Sequence, residues 1–208
     1  MKNLVILFLT LILPLTTFAQ AQGSQEGNPD NLPVHEYKLV LEAKTVNITG
    51  KPVAGMTING GIPGPVLRFK EGEFARITVV NKMDMETSVH WHGILLPNFY
   101  DGVPYLTTPP IEPGESLVYE FVLKQSGTYW YHSHTMLQEQ SGVYGSIIIE
   151  PKEPILEYDK DLVLMLSDWT DEKPGSVLRN LKRRNEWYGI KKGTATPLNK
   201  VIARGGLG

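Results

Sequence analysis

His90-Trp91-His92-Gly93 and Tyr131-His132-Ser133-His134 together hold four of the five histidines in this 208-residue chain. With five histidines at random positions, about 0.1 such His-x-His pairs are expected, and two together should arise less than roughly once in a hundred sequences. Side chains on a strand alternate between faces, so residues two apart project the same way, about 6.6 Å from one another. Each triplet therefore predicts a strand that aims two imidazoles into one space, with Trp91 and Ser133 turned to the opposite side. If the two strands are neighbours, four imidazoles converge, and imidazole suits copper, zinc, iron and nickel. A lone histidine reads as a hydrogen-bonded core or surface residue, and His35 is read that way.

The flanks narrow the reading. The first triplet is followed by Asp101-Gly102-Val103-Pro104 and Ile111-Glu112-Pro113-Gly114-Glu115. The second is preceded by Gly127-Thr128-Tyr129-Trp130 and followed by Gln140-Ser141-Gly142-Val143-Tyr144-Gly145. From about Tyr37 to Trp169 the chain resembles the first cupredoxin domain of the multicopper oxidases, most closely their bacterial copper-resistance branch. The resemblance implies copper as cofactor and half of the histidines of a trinuclear cluster at which dioxygen is reduced to water. It matches His90 to a ligand of the type-two copper, and His92, His132 and His134 to ligands of the type-three pair. It also makes Asp101 the candidate acid that helps to deliver protons near the type-two copper, although Asp101-Gly102 is a good turn pair in its own right. Met83, Met85 and Met136 could offer soft contacts to Cu(I), but isolated methionines are read as packing. Gly93 leaves space beside the ligands or serves a plain turn.

The absence of cysteine has chemical weight. A type-one copper is held by two histidines and a cysteine, which the family places in a His-Cys-His of its last domain. This chain has no cysteine and no histidine after His134, so the resemblance gives it four of eight cluster ligands and no type-one site. It also removes any disulfide or zinc-thiolate scaffold. A net charge of -2 suggests neither nucleic acid nor an anionic membrane as partner.

Lys2, the apolar run from Leu4 to Leu13 and Ala19-Gln20-Ala21 read as an export signal over residues 1–21. The run is too short for a comfortable membrane span, and export without disulfides fits a periplasm. Residues 22–34 read as a polar leader. From 35 to 150, short β-rich runs (Tyr37–Val46, Phe74–Asn81, Ser88–Trp91, Leu117–Leu123, Thr128–His132, Val143–Glu150) are separated by Gly and Pro. They predict an all-β Greek-key sandwich of the cupredoxin type. Leu117, Tyr119, Phe121 and Leu123 form an apolar face, with Glu120 opposite. Residues 151–160, opening with Pro151-Lys152-Glu153-Pro154, read as a linker. Residues 161–208 read as the truncated start of a second cupredoxin domain, with a buried strand over Asp161–Trp169 and a helix-permissive stretch from Ser176 to Lys192.

These observations lead to a copper-binding N-terminal part of a periplasmic multicopper oxidase with a role in copper resistance, inactive without further cupredoxin domains. Its partners would be copper ions, dioxygen in the complete enzyme, and the missing domains or a partner cupredoxin chain. Two alternatives stand beside it: a module that only sequesters copper, and a single-domain subunit that closes its cluster at an interface.

Overall fold

The computed structural model describes residues 28, 30–154, 156–183, 187–193 and 195–205. The expected export signal and most of the leader lie outside the described residues. Among the described residues eight strands form: β1 Val34–Val46, β2 Val53–Ile58, β3 Leu67–Lys70, β4 Phe74–Asn81, β5 His90–His92, β6 Ser116–Val122, β7 Gly127–His132 and β8 Tyr144–Glu150. They make two four-stranded sheets, in the orders β2-β1-β4-β6 and β3-β8-β7-β5. Pairing is antiparallel except between β1 and β4 and between β3 and β8. Each connection from β2 through to β7 crosses from one sheet to the other, as a β-sandwich with Greek-key character requires.

Period-two patterning produces this packing. In β4, Ala75, Ile77 and Val79 turn inward and are buried while Arg76, Thr78 and Val80 are only partly covered. In β6, Tyr119 and Phe121 are buried as the apolar face predicted. Glu120, on the other face, is also buried; it accepts from Arg76 Nε at 2.6 Å, and Arg76 reaches Glu36 at 2.8 Å. Trp91 is the hub of the core, edge-on to Tyr119 at 5.1 Å and tilted against Phe121 and Tyr131 at 6.0 Å.

Two strands escaped the sequence reading. β2 contains Gly55, and β3 has only four residues between Pro65 and Gly72, so neither carries a strong alternating signal. The expected strand over Asp161–Trp169 makes no ladder. The segment is extended, with Val163 and Met165 partly covered and Leu162, Leu164 and Leu166 more than 80% exposed. It is tethered by side chains instead: Arg68 pairs with Asp161 at 2.7 Å and Tyr144 Oη donates to Ser167 at 2.8 Å. Without a neighbouring strand to exchange hydrogen bonds, an alternating sequence stays a tether. Beyond it lie three short helices, α1 Pro174–Lys182, α2 Trp187–Lys192 and α3 Leu198–Ala203. The helix-permissive stretch overlaps α1 and contains α2, α3 was not foreseen, and neither α1 nor α3 buries a residue.

A candidate metal centre at one end of the sandwich

β5 pairs antiparallel with β7 so that His90 stands opposite His132 and His92 opposite Trp130. Register alone therefore brings the two triplets together. Ring centroids lie 5.5 Å apart for His90–His92 and His90–His132, 5.4 Å for His92–His132, 5.6 Å for His90–His134 and 6.0 Å for His132–His134. One nitrogen from each of His90, His92 and His132 falls within 4.8 Å of the others, close enough to share a metal ion. His134 borders this set without joining it. The second triplet departs from the expected strand geometry at that point, because β7 ends at His132 and His134 sits on the loop beyond.

The backs of the rings decide what they offer inward. A carbonyl only accepts, so His90 Nδ1 donates to Asp101 O at 2.6 Å and His132 Nδ1 donates to Ser133 O at 3.0 Å. In both rings Nε2 keeps its lone pair. His92 turns Nδ1 inward, 3.2 Å from His132 Nε2, and must be the donor there. That proton has to leave before both nitrogens can ligate a metal. Burial holds His132 below the ordinary histidine pKa; the Ser133 carbonyl and the Glu139 charge oppose this, and His90 and His92 add to it. Neutral, oriented imidazoles crowded in one space are a donor set that fits copper.

The supporting residues were only partly legible beforehand. Asp101 meets His90 through its carbonyl; its carboxylate Oδ1 is 3.6 Å from His90 Nδ1, beyond hydrogen-bond reach. Gly102 has φ +84°, and a Cβ there would lie 1.8 Å from Val89 O, so only glycine lets this turn press against the strand that carries His90. Gly93 also has positive φ, which favours the turn reading. Ser133 points away from the cluster, donating to Gln138 Oε1 at 2.8 Å. Gln138, which the sequence reading passed over, is buried and ties the triplets together. Its Oε1 also accepts from Thr87 at 2.7 Å, and its Nε2 donates to Glu86 O at 2.8 Å. Ser88 adds a bond from the His134 amide at 3.2 Å.

Trp130 and Glu139 were missed as well. Trp130 stacks on His132 at 4.1 Å and on His92 at 5.1 Å. Glu139 Oε2 stands 3.0 Å from His132 Nδ1. Trp130 could have been found, since it precedes His132 by two on the same strand face; Glu139 has no such signal. His35 is remote from the cluster in contact terms, stacked on Tyr37 and beside Glu73 at 3.3 Å. Met83 packs in the core as expected, whereas Met136 is 90% exposed.

Comparison with known proteins bears on the family and the fold. Residues 40–154 match the family described as multicopper oxidase. The chain is 47% identical over 196 residues to copper resistance protein A of Escherichia coli, covering 94% of this chain and 31% of that protein. It is 52% identical over 172 residues to copper resistance protein A of Pseudomonas syringae pv. tomato, covering 82% and 28%. Among solved structures, the multicopper oxidase Fet3p, which functions in iron import, aligns with a TM-score of 0.65 at 34% identity over 71% of this chain and 29% of its own. A laccase mutant from B. aclada aligns at 0.66 with 38% identity over 74% and 30%. The chain thus spans under a third of the length of these relatives.

Proposed function

Because the chain belongs to the multicopper oxidase family, we propose that it supplies one half of a trinuclear copper site in an exported, periplasmic oxidase that serves copper resistance. In this reading His90 serves the type-two copper, and His92, His132 and His134 serve the type-three pair. The observation that carries it is the convergence of His90, His92 and His132 with His134 at their border, two of the rings with the outer nitrogen already donating to a carbonyl. Copper held there would supply the redox chemistry of dioxygen reduction, in which four electrons and four protons give two waters. The residues of this chain do simpler work. Asp101 and Ser133 fix ring orientation through their carbonyls, the Asp101 carboxylate stands ready to pass a proton beside His90, and Trp130 closes one face against water.

The remaining ligands and the type-one site belong, in this proposal, to another cupredoxin domain or chain, since these 208 residues contain no cysteine and only His35 besides the four assigned histidines. The half-site by itself favours binding without turnover. Purified alone, the chain should therefore take up copper, show no intense blue thiolate band and consume no oxygen with a phenol or Cu(I). His92→Ala with His134→Ala should weaken copper binding about 10-fold or more, whereas His35→Ala should not. Equal binding by the double variant would remove the metal site; oxygen consumption by the chain alone would overturn the half-site reading.

A further inference from the structure

We infer that Glu139 is a positioning residue for His132, its charge reinforcing the ring edge and tautomer that the Ser133 carbonyl selects; the inference rests on the copper reading above. His132 Nδ1 donates to the Ser133 carbonyl at 3.0 Å, and Glu139 Oε2 stands 3.0 Å from the same nitrogen as a charge beside that bond. The Trp130 ring, stacked at 4.1 Å and 18° from parallel, fixes the plane of the imidazole. The freedom left within that plane is a half-turn of the ring and the choice of tautomer. A half-turn would bring a carbon to the two oxygens, and a proton on Nε2 would leave a lone pair facing them. Both are opposed by a full negative charge at hydrogen-bond distance in a largely buried place.

Glu139 is itself held firmly. It lies in a tight loop closed by Gln138 N to Thr135 O, Gly142 N to Glu139 O and Val143 N to Gln138 O, at 3.0–3.2 Å. Its side chain is 36% exposed against 8% for His132, so the carboxylate reaches in from a cavity wall shared with Trp130, Tyr144 and Ser167. Among the described residues, its ion-pair partner is His132. A carboxylate that backs a metal-binding imidazole fixes tautomer and orientation, and its loss costs about 10–100-fold in metal affinity.

The test uses the full chain labelled with ¹⁵N at histidine, free of metal, at about pH 8, where imidazole is neutral. The wild type should show His132 protonated at Nδ1 and bare at Nε2. Glu139→Leu and Glu139→Ala should populate the opposite tautomer and lower copper affinity about 10–100-fold in chelator competition. Glu139→Gln, whose amide oxygen keeps part of the negative charge beside Nδ1, should restore part of both. Wild-type nitrogen shifts in Glu139→Leu and Glu139→Ala would overturn the inference, whether or not affinity falls, because a fall alone would report lost charge. If the wild type and His132→Ala bind copper equally, the copper reading fails, while the nitrogen shifts still decide the role of Glu139.

Discussion

Gly102 shows how narrowly the site depends on single residues. Its backbone lies so close to Val89 O that a methyl group would overlap it, and its φ of +84° disfavours any side chain. The turn it permits carries the Asp101 carbonyl to His90. Gly102→Ala should therefore destabilise the fold by about 3 kcal/mol or more, read by urea denaturation, and should release His90 from its tautomer. His132 makes a second prediction at this scale. Burial lowers its pKa in the folded chain, so just below the unfolded value of about 6.5 the unfolded state binds a proton that the folded state does not. Stability of the metal-free protein should fall as pH drops through that window. His132→Gln should flatten this part of the profile. A wild-type urea midpoint that rises on acidification, or a profile unchanged in His132→Gln, would contradict the assignment.

At the scale of elements, β5 and β7 illustrate what a sequence discloses. The alternation His-x-His announces a strand and its face, and Trp91 between the histidines is the buried hub that alternation demands. Six of the eight strands were visible for the same reason. Hidden from the sequence were the pairings that depend on register, such as His92 against Trp130, and the polar braces between distant segments. Gln138 is such a brace: its bonds to Thr87, Ser133 and Glu86 O are set by tertiary approach, which no local pattern encodes. Likewise, alternation over Leu162–Leu166 announced a strand, but a ladder needs a neighbour. Gln138→Ala would remove the acceptor of the buried Thr87 and Ser133 hydroxyls and the donor to the Glu86 carbonyl. It should destabilise the chain by about 2–3 kcal/mol, and copper affinity should fall with it as the loop bearing His134 loosens. Unchanged denaturation would show that water replaces the amide.

Across the whole molecule, the described residues divide into a closed sandwich and a loosely attached tail. The two sheets bury Trp91, Tyr119, Tyr131 and Phe121 between them, and the histidine cluster stands on the rim of that rigid body. After Pro154 the contacts change in kind. Segment 161–171 is held by Arg68 to Asp161, Tyr144 to Ser167 and Thr49 to Asp171, pairs that lie at or near the surface and each contribute little. Helices α1 and α3 bury no residue, and helices of this length are marginal without packing. Limited proteolysis with trypsin should therefore cut first near Arg179 and Lys182, leaving a core that retains β1–β8. That core should keep the copper affinity of the whole chain, because every residue that orients the four imidazoles lies between Glu86 and Val143. Cleavage within the sandwich before the tail, or loss of copper binding when the tail is removed, would show that the tail supports the site rather than trailing from it.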